Sequence, residues 1–158
     1  MTTEVREAPT RKKALVVTSG GGHWEQMMLL RDALSAYSPV FVTTVAGIAE
    51  RSGIAGAHLI ADCNRNRPLA TLRCVADVWQ LVRRERPDLV ISTGAAPGLI
   101  ALAIGKLFGK KAVWIDSVAN SEKLSMSGAL AGWFVDLQVT QWQHLASKRR
   151  PDYMGSLL

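Results

Sequence analysis

The residues able to do chemistry gather in a few short segments, and the first is the most telling. Thr18-Ser19-Gly20-Gly21-Gly22-His23 joins the apolar run Ala14–Val17 to a stretch where Trp24, Met27, Met28, Leu29 and Leu34 recur near helical spacing. A glycine run between strand and helix lets a ligand come close to the backbone. It also leaves the N–H groups and positive dipole end of the next helix facing that ligand. Phosphate is the usual partner of such a device. His23 adds, at the same spot, a side chain that can hold or move a proton. Glycines alone fit equally well a turn that only packs strand on helix; the adjoining histidine shifts the reading towards a site.

Two common nucleotide motifs fail at defined positions. A Walker loop needs Gly-x-x-x-x-Gly-Lys-Ser/Thr, and no lysine follows these glycines. The dinucleotide fingerprint needs a third glycine where Glu25 stands, and an acidic residue closing the second strand, which ends in Thr43-Thr44-Val45. A nucleotide-dependent oxidoreductase is therefore the weaker enzyme reading.

Three more segments carry small, polar or glycine residues directly after an apolar run: Ser92-Thr93-Gly94-Ala95-Ala96-Pro97-Gly98, Asp116-Ser117-Val118-Ala119-Asn120-Ser121 and Thr140-Gln141-Trp142. Asp116 reads equally as a base, a sugar-hydroxyl acceptor or a helix-entry cap. Ser125-Met126-Ser127-Gly128 fits a helix start, and Asp62–Arg67 reads as a solvated polar loop or a phosphate contact.

The elements that must position these residues alternate. The pattern predicts strand 14–18, helix 23–36, strand 39–45, a short helix near 47–52 and a weak strand 57–61. A helix over Leu69–Glu85 follows, with Leu72, Val75, Ala76, Val78, Trp79 and Val82 on its apolar side, ended by Pro87. Strand 89–91, helix 97–108, strand 112–115 and a last strand, Leu137–Val139, complete the pattern. Strand–helix alternation with short joints predicts an α/β fold: a Rossmann-like parallel sheet with helices on both faces. In such a sheet ligands sit beyond the carboxyl ends of the strands, where all four loops fall.

With 158 residues, 48% of them hydrophobic and 20% charged, the chain suits one domain with a real core. We read residues 13–158 as that domain and 1–12 as a flexible polar segment. That segment leads into Arg11-Lys12-Lys13 and has no apolar core of a signal peptide, so export is not expected. Cys63 and Cys74 lack metal-ligand or redox spacing and read as buried or idle thiols; no metal site or cofactor is expected. The net charge of +6 suits a phosphorylated substrate or an anionic membrane surface. Nucleic acid is not expected, because no basic strand studded with aromatics and no helix-turn-helix spacing is present. No window has the roughly 18 unbroken apolar residues of a spanning helix. Gly128–Val135, with Trp133 and Phe134, fits core burial as well as a membrane interface.

These motifs, in this order, resemble a known family. Gly-Gly-His-x-x-Gln-Met-x-x-Leu (Gly21–Leu30), Asp116-Ser117-x-Ala119-Asn120, Leu124-Ser125-x-Ser127-Gly128, Val139-Thr140-Gln141-Trp142 and Tyr153-Met154-Gly155 are similar to the N-terminal half-subunits of split family 28 glycosyltransferases, the Alg14-like group. The resemblance covers about residues 13–158. It implies the N-terminal, acceptor-side half of a GT-B glycosyltransferase divided between two polypeptides, with a separate donor-side subunit holding most of the UDP-sugar site. It implies transfer from a UDP-sugar, UDP-GlcNAc or a related UDP-hexose, to a lipid-diphosphate acceptor in capsule, exopolysaccharide or lipid-linked oligosaccharide synthesis, without a metal. The chain departs from the eukaryotic pattern in having a polar, basic segment where a membrane span is usual. Inverting transfer needs a base for the acceptor hydroxyl, and His23 and Asp116 are both candidates. Ser19, Gly20, Gly21, Gly22, Thr93, Gly94 and Asn120 are the candidate acceptor-phosphate residues. Trp142 and Leu145 are expected at the contact with the donor-side subunit, Trp142 fitting its own core equally well. The expected location is the cytoplasmic face of the membrane, held peripherally. A scaffold that only recruits a catalytic partner to the membrane is the non-enzymatic rival.

Overall fold

The apolar runs are strands and the segments between them are mostly helices, as the alternation predicts. The structure, a computed structural model, describes residues 10–64 and 66–157, so most of the expected flexible segment lies outside the described residues. Seven strands form one sheet: β1 (Lys13–Thr18), β2 (Ser38–Thr43), β3 (His58–Leu59), β4 (Leu89–Ser92), β5 (Lys111–Ile115), β6 (Leu137–Thr140) and β7 (Asp152–Tyr153). Their order is β3-β2-β1-β4-β5-β6-β7, and every adjacent pair is parallel.

Side chains along β1 alternate between two cores, as the pleat requires. Ala14 and Val16 pack with Trp24, Met27, Leu34 and Ala49, from α1 (Gly22–Leu29), α2 (Arg31–Leu34) and α3 (Ile48–Arg51). Leu15 and Val17 pack with Cys74, Val78, Val82, Ala101, Leu102 and Ala131, from α4 (Pro68–Glu85), α5 (Ala95–Leu107) and α6 (Met126–Ala131). Burial on both faces explains why β1 is a continuous apolar run rather than an alternating one.

Several elements differ from the sequence pattern. The expected helix 23–36 is two helices: the Leu30 amide bonds to the Met27 carbonyl, tightening the turn and ending the first. β2 stops at Thr43, whose hydroxyl accepts from the Val45 amide and takes the chain out of the ladder. Leu137–Val139 is not the last strand: β7 adds to β6, pairing Asp152 with Val139. On α4 the apolar residues form two stripes. Cys74, Val78, Leu81 and Val82 face the sheet, while Leu69, Leu72, Val75 and Trp79 are exposed. Trp133 is exposed, whereas Phe134 packs on the core.

Candidate functional site

The strand order reverses direction at β1 and β4, which lie side by side and send their chains to helices on opposite faces. A crevice opens beyond the carboxyl ends of such a pair. Two loops meet there, Ser19–Gly21 after β1 and Thr93-Gly94 after β4. Gly21 sits at φ 61° and ψ −139°, backbone that a side chain would strain, and begins α1 with no side-chain cap. The first-turn amides of α1 are thus left without a capping side chain, beside the exposed Gly22.

His23 joins the two loops. Thr93 is fully buried, and its hydroxyl donates to the His23 carbonyl at 2.7 Å. In return, His23 Nδ1 lies 3.0 Å from the Thr93 carbonyl oxygen. A carbonyl only accepts, so Nδ1 carries the proton and the neutral ring keeps its free lone pair on Nε2. The imidazole lies against Gly94, where a Cβ would overlap the ring, and Gly94 itself adopts φ 148°. The Gly94 amide donates to Ser92 Oγ at 3.1 Å. Thr93 and Gly94 are therefore occupied in holding the β4 turn and His23. Ser19, Gly20, Gly21 and Gly22 form the loop on the other side.

His23 borders a cavity of about 580 Å³, lined by Gly22, Glu25, Gln26 and Leu29 of α1 and by Ser117, Val118 and Ala119 of the loop after β5. Asp116 lies beneath that loop and is 2% exposed. Its Oδ1 accepts from Ser125 Oγ at 2.7 Å, Trp114 Nε1 at 3.3 Å and Asn120 Nδ2 at 3.4 Å, and its Oδ2 accepts from the Ser125 amide at 3.0 Å. Ser125 in turn caps α6 by accepting from the Gly128 amide at 2.8 Å. Asp116 thus fastens both ends of the loop that walls the cavity, and Asn120 is part of that fastening. His23 and Glu25 are the two titratable side chains that border the cavity, and of them His23 is the one tied to the loop after β4. Trp142 donates from Nε1 to the Val118 carbonyl at 2.8 Å, so its ring braces the same loop from outside, and Leu145 ends a 3-10 turn beside it, half-buried.

Gln26 and Gln141 stand in the sequence only as members of the Gly21–Leu30 and Val139–Trp142 motifs, with no role assigned to either; they are two buried amides that bond to each other. Beyond that membership, their sequence signal is a polar residue at an inward helical position and another directly after a buried strand. Among the described residues, no group of three or more His, Cys, Asp and Glu side chains is placed to hold a metal ion. Cys63 and Cys74 are buried, and burial pushes both thiols up, away from the reactive thiolate.

Comparison with known proteins adds a family and a fold. The family model described as "Oligosaccharide biosynthesis protein Alg14 like" matches residues 54–157, well over half the chain. The UDP-N-acetylglucosamine transferase subunit ALG14 of Eremothecium gossypii is 32% identical over 56% of this chain and 46% of its own length. The human subunit of the same name is 29% identical over 91% of this chain and 82% of its own. Among solved structures, Acinetobacter baumannii MurG superposes with a TM-score of 0.75 at 11% identity, covering 90% of this chain and 45% of that one. A Rickettsia bellii UDP-N-acetylglucosamine 2-epimerase gives 0.71 at 12%, covering 93% and 45%. The chain thus spans less than half the length of the Eremothecium relative and of either solved structure. At these identities the solved structures speak for the fold alone: a Rossmann-like unit of the kind found in GT-B enzymes.

Proposed function

The chain belongs to the Alg14-like family of oligosaccharide biosynthesis proteins, and from that premise we propose that it is the N-terminal, acceptor-side half of a two-chain GT-B glycosyltransferase. The pair moves a sugar from UDP-GlcNAc, or a related UDP-hexose, to a lipid-diphosphate acceptor in lipid-linked oligosaccharide, capsule or exopolysaccharide synthesis. Three relatives are named as UDP-N-acetylglucosamine transferase subunits, which supports both the donor and the need for a second polypeptide. That second chain supplies the donor-side domain and most of the UDP-sugar site.

One observation carries the reading: His23, its tautomer fixed by the Thr93 carbonyl, stands between the uncapped glycine end of α1 and a cavity large enough for a sugar. The α1 amides and the Ser19–Gly22 backbone hold the acceptor diphosphate through N–H groups and the helix dipole. His23 Nε2 takes the proton of the acceptor hydroxyl as its oxygen attacks the anomeric carbon. The bond to the donor diphosphate breaks, UDP leaves with the electron pair, and the anomeric centre inverts. Asp116 acts through the loop it fastens.

Membrane contact is peripheral, on the cytoplasmic face. No helix among the described residues is long and apolar enough to cross a membrane. Leu69 (81% exposed), Leu72 (66%) and Trp79 (40%) instead form an outward stripe on α4, beside the exposed Arg67, Arg73 and Arg83. Apolar side chains among cations suit an anionic interface. Trp142 and Leu145 lie at the edge facing the donor-side subunit.

The test is reconstitution. This chain co-purified with its donor-side subunit should transfer GlcNAc from UDP-GlcNAc to a polyprenyl-diphosphate acceptor, and neither chain should do so alone. A complex that forms but transfers no sugar from any UDP-hexose would overturn the reading.

A further inference from the structure

Two cavities lie on the α1 side of the sheet, and a pair of buried amides forms the partition between them. The first cavity is the acceptor pocket already described. The second, of about 250 Å³, is an apolar groove over β5 and β6, lined by Val113, Ile115, Leu137 and Val139 and by the tail Met154–Leu157. Gln26 (6% exposed) lines the pocket, and Gln141 (4% exposed) lines the groove. Gln141 Nε2 donates to Gln26 Oε1 at 3.1 Å and to the Asp116 main-chain oxygen at 3.2 Å. Gln26 Nε2 donates to Ser117 Oγ at 3.0 Å, and Ser117 Oγ also accepts from the Ala119 amide at 3.2 Å. On the far side, the Leu157 amide donates to Gln141 Oε1 at 3.1 Å. A chain of hydrogen bonds therefore runs from the C-terminal tail, through Gln141 and Gln26, to the wall of the acceptor pocket.

We propose that Gln141 is a positioning residue for the acceptor pocket: through its side-chain amide, the tail 154–157 holds the Asp116–Ala119 wall against α1. The proposal rests on the acceptor-pocket reading above. An amide can be turned over, and only one orientation serves here. With Oε1 towards the tail and Nε2 towards Gln26, every partner is matched. Turned over, Gln141 Oε1 would face the Gln26 and Asp116 oxygens, and its NH2 would face the Leu157 N–H. The Asp116 carbonyl and the Leu157 amide together select the first orientation, since a buried polar group left unmatched costs more than the bond it loses. Gln141 itself borders the groove, not the pocket, so it acts on the acceptor only through its neighbours. What seats the tail in the groove thereby sets the shape of the pocket.

Two variants test this. Gln141→Leu removes the amide; Leu157→Pro removes the tail N–H, together with the Leu157 side chain in the groove, and leaves Gln141 and Gln26 in place. Hydrogen exchange of the isolated full chain is read at Ala119 and Asn120, whose amides bond to Ser117. Both variants should exchange there about tenfold faster, the effect of one buried hydrogen bond. In the reconstituted complex, both should raise the acceptor KM about tenfold, with kcat within about twofold of the parent and the donor KM unchanged. Parental exchange in either variant, or a fall in kcat at unchanged acceptor KM, would overturn the proposal. If the parent complex transfers no sugar, the transfer reading falls, and the exchange comparison alone decides whether the tail holds the wall.

Discussion

Replacing His23 separates its two jobs, because only one of its ring nitrogens is engaged by the protein. In His23→Ala both are lost. The fold loses the Nδ1 bond to the Thr93 carbonyl, worth about 0.5–1.5 kcal/mol, but keeps the Thr93 hydroxyl bond to the main chain of residue 23. The melting temperature should fall by roughly 2–6 °C for a chain of this length. Loss of a general base lowers turnover by about 10²–10⁴-fold, roughly 3–5 kcal/mol of transition-state stabilisation at 1.36 kcal/mol per decade. The loss of activity should therefore far exceed the loss of stability. His23→Asn is the sharper variant: its side-chain NH2 can take over the Nδ1 donation to Thr93, while nothing replaces Nε2. It should melt within about 2 °C of the parent yet remain about as inactive as His23→Ala. The assay is steady-state transfer by the reconstituted complex, with complex formation checked by gel filtration. Parental turnover in His23→Asn would refute the assignment of the base, and loss of complex formation in step with turnover would make His23 a structural residue.

The remaining predictions follow from other parts of the structure. Asp116→Ala leaves the buried Trp114 donor and the half-buried Ser125 donors without their acceptor, so it should cost about 2–4 kcal/mol of stability and raise the acceptor KM; thermal melts and saturation curves check both. The Asp136 carboxyl, raised by burial but held down more strongly by the Ala112 amide and by Lys106 and Lys111, has its pKa lowered from 3.8 to about 2. Its stabilisation is complete above pH 4 and is lost as pH falls through 2. Asp136→Asn should therefore cost about 1 kcal/mol at neutral pH, after discounting for solvent screening, and the difference from the parent should vanish in denaturant curves below about pH 2. Binding to anionic vesicles should weaken as salt screens the Arg67, Arg73 and Arg83 charges. Leu72→Ser with Trp79→Ser should reduce it at any salt concentration; unchanged sedimentation with vesicles would mean that another surface meets the membrane.

What could be read from the sequence follows from where the information is local. A strand buried on both faces is a short apolar run, and β1 and β4 were legible for that reason; β5 is an equally apolar run although Val113 and Ile115 are only half-buried. The glycine loop and His23 were legible because strand end, turn and helix start are adjacent in the chain. The bond from His23 to Thr93, 70 residues away, exists only in the folded sheet. β7 escaped notice because a two-residue strand has no periodicity. The α4 stripes merged in the sequence because hydrophobicity marks both stripes alike; only packing shows that Val78 is covered and Leu72 is not. Asp116 left base and cap equally open, and it took the positions of Ser125, Trp114 and Asn120 around its carboxylate to show what holds it. Gln26 and Gln141, 115 residues apart, carry no sign in the sequence that they face each other.

The central claim is that this chain holds the acceptor, while a second chain brings the donor. Equilibrium binding to the purified single chain tests it directly, with calorimetric titrations of a short-chain polyprenyl-diphosphate acceptor and of UDP-GlcNAc side by side. The account predicts saturable acceptor binding that weakens in His23→Ala, and no measurable heat from UDP-GlcNAc until the donor-side subunit is added. Tight binding of UDP-GlcNAc by the single chain, with none of the acceptor, would contradict it.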